Sequence, residues 1–499
     1  MPVQQAIPFT ESQEHLNQTQ RKAIEQILTS RDQIQGLQGS AGSGKTSTLA
    51  VIRQVAEQSG YTVEGFAPTS KAAGQLREAA IPADTLQGFL ARARNSADPS
   101  EKHLYMIDES SLASTNQMRD FLARIRAEDN VLLIGDIRQH QGVDAGKPFE
   151  QLQQSGMQTA MLDRIVRQKD PTLRQAVEHL SKNEIATGVQ MLQEEGRILE
   201  IADAETRIAM IAKAYAAQPE NTLVVSPDNA SRRAINQAIR LELQENGTLS
   251  REESTYRVLT PRSEMTGADR GWAARYEVGD VLHYSRGSKA YDIEGGSYAQ
   301  VVTVNASENL VTVQKSDGGL VTYDPSRLRG ISAHREIERE FAVGERIQFT
   351  APNRDLQVAN RDRGTLNRFD SDGRMTIRTD SGKDVVFDPL EVRHIDHGYA
   401  VTSHSSQGLT SERVLVNMDT EVHPALINGR FAYVSVSRAS HDAQIFTNDA
   451  SNLAERLSAD VSKNSAVDLG KQATFVPSIA TSQPQFSEQQ NGSGLGLLR

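Results

Sequence analysis

From residue 16 to about 165, short apolar runs alternate with stretches of helical period. YTVEGFAPT, KHLYMIDES and NVLLIGD each carry an apolar run bounded by polar or turn residues, and Leu49, Ile52 and Val55 recur on one helical face. Strands alternating with helices predict a parallel sheet with crossover connections. Residues 165–220 are mostly helical by period. NTLVVSPDNASRRAINQAI, 221–239, reads as strand, turn and helix, and an α/β pattern returns over 396–460 with RVLVNMD, FAYVSVSRA and AQIFTND.

Between these stretches the texture changes. Residues 271–394 are rich in glycine and alternate with the period of strands. They contain an internal repeat: Val278-Gly279-Asp280 recurs as Val343-Gly344-Glu345 at an offset of 65, and Tyr323-Asp324-Pro325 recurs as Phe387-Asp388-Pro389 at an offset of 64. Alternating runs broken by turn residues inside each unit read as hairpins. Two small β-barrel-like modules inserted in an α/β engine are expected, with a coincidental pair of β-meanders as the alternative. The ends differ again. Residues 1–15 form a polar leader, and the Gln/Ser-rich stretch after about 461 has too little apolar surface to fold and is expected to be disordered.

Composition narrows the classes. A chain of 499 residues suggests three domains at roughly 150 residues each. Cysteine is absent, which excludes disulfides and thiolate metal sites. No apolar run approaches the ~20 residues of a membrane span, and the first residues lack a signal-peptide pattern, so a cytoplasmic address fits. The net charge is −10, with 54 Lys+Arg against 64 Asp+Glu. This argues against a wholly basic nucleic-acid coat but leaves room for a local basic groove.

The candidate chemistry begins at GLQGSAGSGKTSTLA, 36–50. Gly39, Gly44, Lys45 and Thr46 fit G-x-x-x-x-G-K-[ST] between an apolar run and a helical pattern. Glycines there, Gly42 included, let backbone N–H groups beside Ser43 curl toward phosphate oxygens, and the helix start adds partial positive charge. Lys45 can neutralise β- and γ-phosphates and Thr46 can offer a hydroxyl to Mg²⁺. The bland alternative is a Gly/Ser-rich linker. In LYMIDES, Asp108 at a strand end can hold Mg²⁺ and Glu109 can take a proton from attacking water; two acids that merely end a strand are the alternative. Gln139, after NVLLIGD, is either a γ-phosphate sensor or a solvated turn residue. Arg167 in LDRIVRQ and Arg438 in YVSVSRAS could stabilise phosphoryl transfer. Each alone is more simply a surface ion pair. If both reach one phosphate, the second half of the chain folds back over the first.

Taken in order, these stretches resemble the motifs of a superfamily 1 helicase, in the branch that includes RecD-like enzymes. LNQTQ with Leu16, Asn17 and Gln20 resembles the Q-motif, GSAGSGKT motif I, APTSKAA motif Ia, IDES motif II and GDIRQ motif III. LDRIVRQ is similar to motif IV, YAVTSHSSQGLTSE to motif V and YVSVSRA to motif VI. The wording is most similar to the helicase part of MobF-type conjugative relaxases, the TraI and TrwC proteins. HQGV and GKPF, at 140–143 and 146–149, depart from the usual proline-rich tail of motif III. The nicking domain of those relaxases, with its paired tyrosines and His-x-His cluster, has no counterpart, and His394 and His397 read as solvated. The chain is thus expected to be a helicase without the nickase, whether a fragment, a split protein or a stand-alone relative.

The resemblance implies two RecA-like parallel-sheet domains (16–165, and 166–270 with 395–460) carrying inserted SH3-like barrels over 271–394. It implies ATP and Mg²⁺, with Gln20 reading adenine and Gly408 and Glu412 joining the nucleotide set. Single-stranded DNA would be contacted by Pro68, Thr69, Thr402, His404 and Gln407, largely at phosphates and sugars. It further implies 5′-to-3′ travel and recruitment by a relaxase or other conjugation proteins. Lys71, Arg361 and Arg363 could add charge, although solvation is the simpler reading. Tyr284, Phe349 and Trp272 could stack on bases, with core packing expected for each. The rivals are a RecD-type repair helicase, a single-stranded DNA-binding scaffold with little turnover, and a P-loop kinase or transporter ATPase, in which motifs V and VI have no job.

Overall fold

A computed structural model describes residues 13–92, 101–142, 146–262, 265 and 269–459. The polar leader up to residue 12 and the tail expected to be disordered lie outside these residues. The first sheet is six-stranded and parallel. Its order is Ala83–Thr85, Tyr61–Ala67, Lys102–Ile107, Asn130–Gly135, Ile34–Gly39 and Thr159–Leu162. Both faces of its central strands are covered, so these read as continuous apolar runs rather than alternating ones. The helix Lys45–Gln58 buries Leu49, Val51, Ile52, Val55 and Ala56 against it. Because the strands run one way, the segments after Gly39, Ala67, Ile107 and Gly135 all emerge at one edge.

The second parallel sheet is five-stranded. Its order is Ala400–Thr402, Thr222–Ser226, Ser411–Met418, Ala439–Thr447 and Ile198–Glu200. FAYVSV, which is as apolar and β-branched as a strand, forms the helix Gly429–Val436 instead. Asn428 caps it, its Oδ1 accepting from the Phe431 N–H at 3.1 Å. Phe431 to Val436 are all buried, so the run lacks an amphipathic stripe that would betray its period.

Two antiparallel sheets separate the halves of the second parallel sheet in the chain. One orders Leu320–Tyr323, Leu310–Lys315, Tyr298–Asn305, Val281–Tyr284, Ile331–Ala342 and Glu253–Pro261. The other orders Asp384–Phe387, Met375–Thr379, Arg363–Phe369, Arg346–Phe349 and Ile395–His397. The sequence repeat has a structural counterpart. Gly279 and Gly344 turn at φ +98° and +95°, where a side chain would be strained. Their N–H groups donate to Val301 O and Leu366 O, each at 2.8 Å. Each partner strand then bulges, between Val301 and Thr303 in one sheet and between Leu366 and Arg368 in the other. The acid of each motif closes its turn: Asp280 accepts from Glu277 N at 2.9 Å and Glu345 from Ala342 N at 3.3 Å.

Three expectations are corrected here. The antiparallel region opens before 271, because Glu253–Pro261 pairs along its whole length with Ile331–Ala342. Trp272 is not a core residue. It is 62% exposed, whereas Tyr284 and Phe349 are buried. His394 and His397 are not solvated. The Nε2 atom of His397 lies 2.9 Å from Glu340 O, and that of His394 lies 2.7 Å from the Tyr298 hydroxyl. Burial, then the neighbouring His334 and His283, holds the His394 imidazole down to about 3, so it is neutral at pH 7.

A buried ion pair ties the second antiparallel sheet to the helix Asn229–Glu245. Arg240 Nε donates to Glu345 Oε2 at 3.0 Å and its Nη2 to Glu253 Oε1 at 2.8 Å. The Tyr399 hydroxyl donates to the other Glu345 oxygen at 2.6 Å. Removing one partner of a buried pair strands the other charge. Glu345→Ala is expected to destabilise the fold by about 3 kcal/mol, the low end for such a loss because Glu253 remains. Glu340→Ala, whose carboxylate is 54% exposed and 3.5 Å from Arg240, is expected to leave the urea midpoint nearly unchanged. Equal midpoints for both variants would refute the anchoring role.

Candidate functional site

The loop after the strand Ile34–Gly39 is a cradle of backbone donors. Gly42 and Gly44 hold φ +78° and +82°. A Cβ on Gly42 would lie 2.5 Å from Arg167 Cβ, and one on Gly44 would lie 2.3 Å from Gln20 Nε2. Both positions therefore need glycine for conformation and for space. Gln20 completes a capping box with Asn17, and its Nε2 donates to Gly44 O at 3.2 Å. Lys45 Nζ donates to Gly39 O at 2.8 Å and Ser40 O at 3.3 Å. Ser43 Oγ is buried with no hydrogen-bond partner among the described residues. A curled loop with an orphaned hydroxyl and a lysine held only by carbonyls is built for an anion. Thr46 follows Lys45 in the first turn of the helix.

Asp108 and Glu109 end the strand Lys102–Ile107. Glu109 sits at φ +51°, a left-handed conformation that costs a non-glycine residue energy. Its N–H donates to Asp108 Oδ1 at 2.8 Å. Burial lifts both carboxyl groups. For Glu109 burial is followed by repulsion from Asp108, with Lys45 and Arg438 pulling the other way, and its carboxyl rises to about 7.

The second sheet reaches this edge through the helix Gly429–Val436. Tyr433, buried, accepts from the Ala41 N–H of the glycine-rich loop at 2.6 Å and donates to Asp136 Oδ2 at 2.8 Å. Asp136 also accepts from Gln38 at 3.1 Å and from Gln139 at 3.1 Å. Arg167 Nη1 donates to Ser437 O at 2.8 Å. Arg438 is buried, with Nε on Val434 O at 2.9 Å and Nη2 on Ser437 Oγ at 3.0 Å. Burial and then Arg438 lower Arg167 to about 9, and the Arg438 field also reaches Glu109. The guanidinium groups of the half-buried Arg167 and the buried Arg438 thus lie close enough to repel each other, beside the glycine-rich loop.

A cavity of about 460 Å³ runs from Glu109 outward. Pro68, Thr69 and Lys71 line it from the first sheet, His404, Gln407 and Gly408 from the second, and Asn360 and Arg361 from the second antiparallel sheet. Gln75 Nε2 crosses to Gly408 O at 3.0 Å, and Gln407 Nε2 crosses to Gln139 Oε1 at 3.3 Å. The His140 and His404 rings stack at 3.8 Å. Burial, then Arg363 and Arg438, lowers Lys71 to about 7.

Not every candidate converges here. Lys71 and Arg361 line the cavity rather than being merely solvated. Arg363, also expected to be solvated, is instead drawn to Asp380 at 3.6 Å. Thr402 caps the helix Ser403–Ser406. Gly408 abuts Gln75 and Lys71 rather than the glycine-rich loop. Glu412 is exposed at the start of its strand. Sequence reasoning missed Tyr433, His140 and Arg430, whose Nη1 donates to Gln139 O at 2.8 Å. The signal for Tyr433 was a phenol hydroxyl within a largely apolar run.

A family model described as an AAA domain matches residues 15–203. The chain is 24% identical to the multifunctional conjugation protein TraI of Escherichia coli K12, over 94% of this chain and 29% of that protein. It is 24% identical to the conjugal transfer protein TraA of Agrobacterium fabrum, over 86% of this chain and 32% of that protein. The ATP-dependent RecD2 DNA helicase of Deinococcus radiodurans is 32% identical over 169 residues, 32% of this chain and 23% of that protein. The chain therefore spans about three tenths of the length of the conjugation proteins it matches. A Pif1 helicase structure, determined in a study of unwinding at forked duplex DNA, shares the fold with a TM-score of 0.51 at 15% identity, covering 92% of this chain and 97% of that one. With the ordered motifs, the chain is thus similar over most of its length to conjugative transfer proteins, and over 169 residues to a RecD2 DNA helicase.

Proposed function

We propose that the chain is an ATP-driven DNA helicase of the conjugative type that moves 5′-to-3′ along single-stranded DNA. The observation that carries the proposal is Glu109. It lines a cavity that residues of both parallel-sheet halves also line, and feels the charge of Arg438 from the second. A carboxylate near neutrality suits a general base. Lys45, Ser43 and the loop amides would hold the phosphates, and Thr46 and Asp108 the Mg²⁺. Gln20 would face the adenine, while Gln139, Arg167 and Arg438 would report on the γ-phosphate and neutralise its charge. The nucleotide supplies the phosphoryl group whose loss changes how well the two sheets hold together. Tyr433, Gln139 and Gln407 form the route by which that change reaches the groove, where Pro68, Thr69, Lys71, Thr402, His404 and Gln407 would grip a strand.

In this reading the parallel sheets are RecA-like domains, 16–165 and 166–270 with 395–460, and the antiparallel sheets are SH3-like barrels bracing the strand. The protein acts in the cytoplasm, recruited by a relaxase or other conjugation proteins. A RecD-like repair role is the second reading, favoured by the identity to the Deinococcus helicase. Forked DNA with a single tail tests the motor. Unwinding is expected from a 5′ tail with ATP, and none from a 3′ tail or with Lys45→Ala. Equal unwinding from either tail would overturn the polarity.

A further inference from the structure

The chain has one tryptophan, and it lies outside the groove. Trp272 is 62% exposed, between the short turns Asp269–Gly271 and Ala273–Arg275 that precede the strand Val281–Tyr284, while Tyr276, Tyr284 and Tyr323 nearby are buried. Its backbone is nevertheless fixed on both sides. Ala273, wholly buried, donates its N–H to Asn309 Oδ1 at 2.7 Å, and Asn309 Nδ2 donates to Gly271 O at 3.1 Å and Asp324 Oδ1 at 2.7 Å. The fold thus holds the segment firmly while leaving the indole in solvent, where it adds little to the core.

The surroundings are electropositive. A cavity of about 540 Å³ beside the indole is lined by Arg270, Asn309, Ser326, Leu328 and Arg329 among others, and among the described residues no aspartate or glutamate lines it. The carboxylates closest along the chain are engaged: Asp269 pairs with Arg275 at 3.0 Å, and Asp324 accepts from Ser326 N at 2.9 Å as well as from Asn309. Neither Arg270 nor Arg329 is ion-paired among the described residues, although the chain carries a net charge of −10. An exposed aromatic face flanked by uncompensated guanidinium groups is the combination that stacks a base and holds its phosphates.

We propose that this face is a second binding site for single-stranded DNA, with one base stacked on Trp272 and phosphates on Arg270 and Arg329. It goes beyond the motor reading and needs no hydrolysis, so the two fail separately. Loss of ATP-driven unwinding with this site intact would count against the motor alone.

Because Trp272 is the sole tryptophan, intrinsic fluorescence of the intact chain reports on this face. Titration with a dT oligonucleotide, without nucleotide, is expected to quench it saturably. Arg270→Glu/Arg329→Glu is expected to abolish the quench and to flatten the salt dependence of binding by about 1.4 in log–log slope, ~0.7 per phosphate contact. Trp272→Ala is expected to weaken oligonucleotide binding, read by anisotropy, about five- to hundredfold. ATP turnover at saturating oligonucleotide should be unchanged in all these variants. Unchanged fluorescence at oligonucleotide concentrations that saturate anisotropy would overturn the proposal. So would a quench that survives the double arginine change, or equal quenching by blunt duplex, whose bases are not free to stack.

Discussion

Arg438→Ala is expected to lower DNA-stimulated ATP hydrolysis by about 10³-fold or more, the range found when a guanidinium is withdrawn from phosphoryl transfer. Nucleotide binding should change far less, because the glycine-rich loop and Lys45 belong to the first sheet and are separately held by Gln20 and the loop's own carbonyls. The argument rests on where Arg438 is kept. It comes from the second half of the chain, is buried, and lies within the fields of Glu109, Asp136 and Arg167 with no ion pair of its own among the described residues. Its bonds to Val434 O and Ser437 Oγ orient it without neutralising it. A buried guanidinium that no carboxylate pairs directly is costly to a fold, which is the reason to look for an anion that compensates it. The split between kcat and binding separates this from a packing defect. So does Arg438→Lys, which keeps a charge but loses the planar fork and is expected to recover only part of the rate. Wild-type turnover in Arg438→Ala, measured with saturating DNA, would remove Arg438 from the chemistry.

The glycine-rich loop and its acidic partners were legible in the sequence because their motifs obey local rules. A glycine-rich loop between strand and helix, and acids closing an apolar strand, each have a reason that lies within a few residues. The repeated Val-Gly-Asp and Val-Gly-Glu turns were visible for the same cause, since a positive φ demands glycine wherever it recurs. What lay hidden depends on contacts between distant segments. Tyr433 looks like one more apolar residue until it is seen between Ala41 N and Asp136. The strand Glu253–Pro261 looks like an extension of the preceding α/β region, because its partner lies some eighty residues further on. Trp272 was misjudged because aromatic residues are usually core residues, and only the fold shows that its neighbours are pinned while its ring is left outside.

Glu109→Gln is expected to reduce ATP turnover by about 10²- to 10⁴-fold, the usual contribution of a general base, and to remove a titration from the pH profile. In the nucleotide-free protein the Glu109 carboxyl is raised to about 7, first by burial and then by Asp108. Only its ionised form can accept a proton from water. Wild-type kcat/KM, which reports the free enzyme, should therefore be low in mild acid, climb through neutrality and level off above it. The glutamine variant should be flat over the same range. Arg438 favours the charged carboxylate, so Arg438→Ala should shift the residual limb to higher pH as well as lowering its plateau. That shift joins the two residues in one measurement. A buried arginine that only packed the helix Gly429–Val436 would leave the midpoint in place, whereas a charge sharing the cleft with Glu109 must move it.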